Sequence, residues 1–353
     1  MNHIKRLRSI LGQMDAEALL LTSEISRRYA TDFPFSDGYV VITEGDAYLI
    51  TDFRYREAAE AAVDEGITVV APDALLPYIA ELFTKEGIRR VGFEDHNVTC
   101  SDYRRLAEEL DVTLLPIEGR IEELRAVKDE EEIRRITAAQ RITDRAFSHI
   151  LSMLTPTMTE IEVALEIEYF MRREGAEGIA FPTIAVSGAA SALPHGTPRN
   201  KTLERGFLTM DFGATLDGYA SDMTRTVSLG KASPEMKRVY TTVLAAQALG
   251  MEAIAAGAPA SSVDAAARDR IDAEGYRGLF GHSFGHGVGL EIHEAPRLSS
   301  RNAHPLVAGN VVTAEPGIYL TGRYGCRIEN MGVVTNDGFS CFTQSDTALI
   351  ELF

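Results

Sequence analysis

Two pairs of carboxylates, each set about a turn and each embedded in apolar sequence, constrain this chain more than any other feature. Asp211 and Asp222 flank the turn signal Asp217-Gly218, and their midpoint falls between Leu216 and Asp217. Read as a hairpin, the segment makes the two aspartates near-opposite cross-strand neighbours. Glu315 and Glu329 repeat the arrangement about Gly322, inside the turn-rich stretch Thr321-Gly322-Arg323-Tyr324-Gly325. Singly, such residues read as solvated turn chemistry. Together, in strands that would otherwise bury naked charge, they demand compensation, because like charges raise one another's pKa and burial adds to the penalty.

Two divalent cations balance four carboxylates. His286, in Gly285-His286-Gly287-Val288-Gly289, adds a nitrogen ligand framed by glycines that let backbone and substrate approach closely. An oxygen-rich set with one imidazole and no thiolate suits Mn2+ or Co2+, with Fe2+ or Zn2+ as alternatives. Ions in such a site stand roughly 3.5–4 Å apart and polarise an attacked carbonyl. The expected chemistry is metal-assisted hydrolysis.

The rest of the sequence says where this site sits. At 353 residues the chain is longer than one ordinary core supports, so two domains are expected. The formal charge of −17 argues against a nucleic-acid or anionic-membrane partner, since both are themselves negative. Cys100, Cys326 and Cys341 are too scattered for a disulfide framework and fit no zinc knuckle, which points to reduced thiols and a cytoplasmic protein. Lys5, Arg6 and Arg8 read as a basic first helix, because Asp15 and Glu17 cut short any run of signal-peptide length. No segment approaches the ~20 apolar residues of a membrane span.

Residues 1–122 alternate strand-like runs (Ala18 to Thr22, Tyr39 to Thr43, Ala47 to Thr51, Thr68 to Ala71, Arg90 to Glu94) with helical stretches (Tyr55 to Glu65, Ser101 to Leu110), which predicts an α/β domain. Residues 123–353 use one plan twice. Helices over 130–154 and 160–174, the second opened by a Thr159/Glu162 capping box, precede strands at Thr183 to Ser187, Gly206 to Gly213 and Thr224 to Leu229. Helices over 234–256 and 262–274, the latter ended by Gly275, precede strands at Val311 to Tyr319, Met331 to Thr335 and Thr347 to Glu351. Two α-then-β halves predict an α+β domain with pseudo-twofold symmetry.

At these residues the chain closely resembles the proline-specific metallopeptidases of the pita-bread fold, the family of aminopeptidase P and Xaa-Pro dipeptidase (prolidase). The matching blocks are Leu193-Pro194-His195-Gly196, Asp211-Phe212-Gly213, Ser221-Asp222-Met223-Thr224-Arg225-Thr226, the run from Gly285 to Glu294, Ala314-Glu315-Pro316-Gly317 and Arg327-Ile328-Glu329-Asn330. They cover residues 124–353, while the first domain matches the family's creatinase-type amino-terminal domain in size and pattern only. The resemblance implies that Asp211 binds one ion, that His286 and Glu315 bind the other, and that Asp222 and Glu329 bridge them. It implies further that Glu315 acts as general base to the attacking water. His195 and His293 correspond to the family's non-ligand histidines, which hydrogen-bond substrate and oxyanion. Arg297 resembles the arginine that meets the substrate carboxylate in prolidase-type enzymes. Asn330 departs from the commoner Asp beside the last ligand.

The implied function is hydrolysis of the bond between an amino-terminal residue and proline. Such a bond offers a protease no N–H, and its ring fixes φ near −65°. An apolar wall for the ring is expected from Phe181 or Tyr219. Prolidase action on dipeptides is the first expectation, aminopeptidase P action on longer Xaa-Pro-Yaa peptides the alternative, and a non-catalytic interaction module of the same fold the remote one. The expected partners are short proline-containing peptides and a second copy of the chain, with the loop Phe33 to Gly38 as a lid in the homodimer.

Overall fold

The computed structural model describes residues 3–353, and the chain divides into two compact units, Met1–Arg125 and Ala126–Phe353. The sequence placed the boundary near residue 123; the helix Arg120–Ala126 runs across that point. Of the basic opening segment, Met1 and Asn2 lie outside the described residues, and a helix spans His3–Met14.

The first unit is built on Ala18–Leu21, whose four residues are all buried, as befits a strand flanked on both sides. It pairs antiparallel with Gly38–Thr43 and parallel with Arg90–Phe93. Ala47–Thr51 and Thr68–Val70 extend the sheet on one side, and Thr113–Pro116 closes the other, giving six strands. Val41, Ile50, Val91 and the helix residues Ile79, Phe83 and Leu106 form the core. Four described elements up to residue 126 escaped the sequence reading: the helices Glu24–Thr31, Leu75–Glu86 and Arg120–Ala126 and the strand Thr113–Pro116. Leu75–Glu86 is a helix despite Pro77, which falls in its first turn where no N–H is needed, and it ends at Gly87 with φ 70°. Thr113–Pro116 is a short edge strand, a position that tolerates its proline.

In the second unit the helices Glu130–Met153 and Glu160–Arg173 both start from complete capping boxes, Asp129/Glu132 and Thr159/Glu162. Their apolar faces, including Phe147, Ile150, Val163 and Ile167, pack on Met210, Phe212 and Val227. These last residues belong to Gly206–Phe212 and Met223–Leu229, which with Ile184–Ser187 and Glu351–Leu352 form a four-stranded sheet. The second half repeats the plan. Pro234–Glu252 and Ala260–Ile271 pack through Val239, Val243 and Val263 on Val312, Ala314 and Ile328. The strands are Glu294–Leu298, Gly285–Gly287, Val311–Ala314, Asn330–Thr335 and Gly338–Cys341, in that order.

Three expectations need correction. Ala260–Ile271 gives way to a π-helical turn, Asp272–Tyr276, in which Gly275 adopts φ 90°, so the regular helix stops before the expected end. The run Val311 to Tyr319 is two strands, Val311–Ala314 and Gly317–Leu320, because Pro316 has no N–H for a ladder and Glu315 turns its own N–H to the Phe284 carbonyl at 2.8 Å. The expected strand from Thr347 is reduced to Glu351–Leu352, which pairs parallel with Ser228 and Leu229. Residues 343–347 are instead tied down side chain by side chain. The Asp144 carboxylate accepts from Gln344 N and Ser345 N, and Tyr240 Oη donates to the Thr347 carbonyl.

Candidate active site

The first carboxylate pair rides on the antiparallel ladder between Gly206–Phe212 and Met223–Leu229. Its two-residue turn is Asp217-Gly218, with φ 49° and 83°, flanked by the Leu216–Tyr219 pair. The register places Asp211 opposite Thr224 and Phe212 opposite Met223. Asp222 is therefore a diagonal neighbour of Asp211 rather than the near-opposite one expected. The slip is two residues, one strand period, so both aspartates still point to the same face. The second pair is symmetrical. Ala314 opposes Asn330 and Gly317 opposes Arg327, so the same register sets Glu315 against Glu329 across the gap left by Pro316.

One oxygen of each outer carboxylate is fixed and the other is left free. Arg327 Nη2 donates to Asp211 Oδ2 at 2.6 Å, while Asp211 Oδ1 is buried with no hydrogen-bonding partner among the described residues. Thr224 Oγ1 donates to Glu329 Oε2 at 2.8 Å, while Glu329 Oε1 is likewise buried and unpartnered among the described residues. Buried acceptors without donors are costly, and both residues line the same cavity. His286 presents a third type of acceptor. Its Nδ1 donates to the Gly287 carbonyl at 3.1 Å, which leaves the lone pair on Nε2, 3.6 Å from Asp222 Oδ2 and 3.3 Å from Glu315 Oε1. Burial, with His293 beside it, pulls His286 down to about 3, so the imidazole is neutral and the contacts are not ion pairs. Ligand atoms of Asp222, His286 and Glu329 lie within 4.8 Å of one another.

The electrostatics carry the same message. Burial first, and then the charges of Glu329, Asp211 and Glu315, push Asp222 well above the usual carboxylate range. Burial and the charges of Glu315 and Asp211 do the same to Glu329. Burial raises Glu315 to about 8, against the opposing pull of Arg327. Without cations this cluster holds protons; with divalent cations it is a ready set of anionic oxygen donors around one imidazole. The orphaned oxygens and the donor set both fit such ions.

All eight residues singled out from the sequence line one cavity of about 750 Å3, a size suited to a small ligand. Asp211, Asp222, His286, Glu315 and Glu329 form its floor of acceptors. His195, in the turn after Gly188–Ala192, and His293 are exposed to it, and the His293 ring meets that of His286 edge-on at 4.3 Å. Arg297, on the strand Glu294–Leu298, is exposed, and among the described residues its side chain makes a single long bond, from Nε to Ser283 Oγ at 3.4 Å. Phe181 lines the cavity. Tyr219 does not: it is 2 % exposed and its hydroxyl donates to Glu132 at 3.1 Å, so it belongs to the core.

The sequence reading passed over a chain of groups behind Asp211. His282 Nδ1 donates to the Ser283 carbonyl, so its Nε2 accepts from Tyr319 Oη at 2.8 Å; Tyr319 Oη in turn accepts from Arg327 Nη1 at 2.8 Å. Burial and the neighbouring Arg327 hold His282 down at about 4, consistent with the neutral tautomer this chain requires. The spacing of Tyr319 four residues after Glu315 carried no signal of its own, because the strand break that turns it inward is invisible in composition.

Comparison with known proteins agrees with this geometry. The model of metallopeptidase family M24 matches residues 134–336, and that of the creatinase/prolidase amino-terminal domain matches residues 3–127. The Xaa-Pro dipeptidase of Bacillus anthracis superposes with a TM-score of 0.96 at 43 % identity, covering 99 % of both chains. The X-Pro aminopeptidase of Thermotoga maritima gives 0.93 at 37 % identity, covering 98 % of this chain and 100 % of the other. The Xaa-Pro dipeptidase of Pyrococcus horikoshii is 34 % identical over 351 residues, 98 % of each chain. The pita-bread architecture, the paired carboxylates and these matches over nearly the whole length lead to one assignment: the chain belongs to metallopeptidase family M24, a family of metal-dependent hydrolases, and carries the creatinase/prolidase type of amino-terminal domain.

Proposed function

We propose that this protein hydrolyses the bond between an amino-terminal residue and proline, with dipeptides as its first substrates. The observation that carries the reading is the pair of orphaned oxygens, Asp211 Oδ1 and Glu329 Oε1, on residues that line one cavity with His286 and the exposed Arg297. Asp211, Asp222, His286, Glu315 and Glu329 would hold the two ions. Mn2+ or Co2+ suits this set. When bound, the two ions supply Lewis acidity, making a water nucleophilic and polarising the scissile carbonyl.

The chain's own residues do the rest. Glu315, an anionic carboxylate once cations neutralise the cluster and one that lines the cavity, takes the proton of the attacking water and returns it to the departing proline nitrogen. His195 and His293, exposed to the cavity, donate to substrate and to the oxyanion as it develops. His282, Tyr319 and Arg327 keep Asp211 from rotating. Phe181 provides an apolar face for the proline ring, and no step requires an N–H from the scissile bond.

Arg297 supports dipeptidase action, because its donors other than Nε find no acceptor among the described residues and a carboxylate would satisfy them. The likeness to an X-Pro aminopeptidase supports the second reading, cleavage of longer Xaa-Pro-Yaa peptides. The test compares Xaa-Pro with Xaa-Pro-Yaa and repeats both with Arg297→Ala. Dipeptide cleavage that loses affinity in the variant establishes a prolidase; equal cleavage of the tripeptide, indifferent to the variant, establishes the aminopeptidase.

The remaining expectations belong to the same proposal. A cytoplasmic location is supported by the reduced cysteines, and among the described residues no helix is long and apolar enough to cross a membrane. A homodimer is expected, with the Phe33 to Gly38 loop as lid. Its aromatic rings are tucked inward, Phe33 and Phe35 being buried, and Arg27 clamps the Phe35 and Ser36 carbonyls, so the lid is a braced loop. Sedimentation that finds only monomer at micromolar concentration removes the dimer.

A further inference from the structure

Arg225 is a buried cation that forms no ion pair among the described residues. It lies on Met223–Leu229, is 1 % exposed, and is among the largest fully buried side chains of the protein. All five guanidinium donors are used. Nε donates to the Asp346 carbonyl at 3.0 Å; Nη1 donates to the carbonyls of Thr224, at 2.9 Å, and of Glu329; Nη2 donates to the Ser345 carbonyl and to Asn330 Oδ1, both at 2.8 Å. Every acceptor is a neutral oxygen. Buried charges are normally paired, and Arg327 obeys that rule through Asp211, but among the described residues no carboxylate stands within ion-pair distance of Arg225.

Its position gives the exception a meaning. Arg225 grips the backbone of Glu329, while its neighbour Thr224 grips the Glu329 carboxylate. It also joins the two halves of the catalytic unit to the 345–346 segment, which Asp144 anchors from the other side. A charge count of the loaded site then follows. Asp211, Asp222, Glu315 and Glu329 balance two divalent ions, Asp211 while also paired with Arg327, and His286 is neutral, so the guanidinium of Arg225, offset by Asp144 beyond contact distance, remains as positive surplus in a medium of low dielectric. Such a surplus opposes cation binding and favours negative charge on a substrate under attack.

We propose that Arg225 is a positioning residue for Glu329, and that Asn330, by accepting from it without neutralising it, sets the site for turnover at the expense of cation affinity. The proposal rests on the metal-site reading above. Asn330→Asp is nearly isosteric and places a carboxylate against the guanidinium, where a charge-assisted pair forms. Mn2+ titrated into the stripped protein by calorimetry is expected to bind the variant more tightly, with Kd of the weaker ion lower by about tenfold, the size of effect that groups behind metal ligands exert. At saturating Mn2+, kcat is expected to fall with KM little changed. A purely structural role would weaken binding and rate together, so unchanged or weaker affinity overturns the proposal.

Arg225→Lys tests the positioning half separately, since it keeps the charge and loses the fork. An altered visible spectrum of the Co2+-loaded variant is expected, because Glu329 is no longer held; a spectrum and Kd identical to wild type overturn that half. Should this variant fail to fold, the Asn330→Asp titration decides alone. A wild-type protein that takes up no ions removes the metal-site reading and this proposal together, whereas two ions bound with no response to Asn330→Asp removes only the proposal.

Discussion

Thr224 shows how little of the candidate site is optional. Its hydroxyl donates to one oxygen of Glu329 and thereby aims the other at the cavity, and it accepts in turn from Arg327 Nε at 3.0 Å. Thr224→Val keeps the shape and removes both bonds. Mn2+ affinity measured by calorimetry is expected to drop roughly 10–100-fold, as when other groups behind metal ligands are deleted. The carboxyls predict a pH dependence of the stripped protein. Glu315 has its folded-state pKa raised from 4.5 to about 8, so the folded form binds the proton more tightly than the unfolded one. Stability from this group is complete below about pH 4.5 and is lost as pH rises through 8; Asp222 and Glu329, raised for the same reason, add to the slope. His282 and His286, held neutral in the folded protein, act in the opposite sense only below about pH 6.5, so chemical unfolding of metal-free protein at pH 7 and 9 is expected to show the lower stability at pH 9, and added Mn2+ to restore more at pH 9 than at 7. Equal stabilities with and without metal would mean that the carboxyls are not crowded.

At the scale of elements, the hairpins decide whether the carboxylates meet, and they tolerate little. A Cβ at Gly213 would stand 1.8 Å from the Ser221 carbonyl oxygen, which belongs to the backbone of the facing segment. Gly213→Ala must therefore spread the hairpin just where Asp211 and Asp222 are brought together. A loss of about 1–3 kcal/mol in urea unfolding is expected, the usual cost of overpacking, together with loss of the first ion. Gly250 plays a like part on the helix Pro234–Glu252, where a Cβ would meet the Phe284 ring at 2.2 Å. The turns were legible in the sequence because Asp217-Gly218 and Gly322 are local signals, and so were the capping box at Thr159 and the proline at Pro234. Register was less so: the Asp211–Asp222 pairing is one strand period from the symmetric guess, since a two-residue turn fixes register by its φ angles and composition does not reveal them. What stayed hidden was long-range. Arg327 reaches Asp211 across 116 residues and His282 reaches Tyr319 across 37, and no spacing rule reports such contacts. Tyr219 was misplaced for a related reason: its hydroxyl finds Glu132, 87 residues away, and the ring follows it into the core.

For the molecule as a whole, the halves of the catalytic unit are stitched together at the site itself. Glu329 N donates to the Thr224 carbonyl at 3.0 Å, and Thr226 Oγ1 donates to the Arg327 carbonyl at 2.9 Å, so each half's hairpin is aligned by the other's backbone. Neither half holds enough carboxylates and nitrogen for two ions, and the pseudo-twofold plan is what completes the set. On the proposed function, hydrolysis of Xaa-Pro depends on ions held by this composite cluster. The most direct test strips the protein, restores Mn2+ stepwise and follows cleavage of an Xaa-Pro dipeptide, with Glu315→Ala as the blank. Activity that is absent from the stripped protein, rises to a plateau at two equivalents and never appears in the variant is the predicted result. Cleavage by the stripped protein, or no cleavage of any Xaa-Pro peptide once two ions are bound, would contradict it.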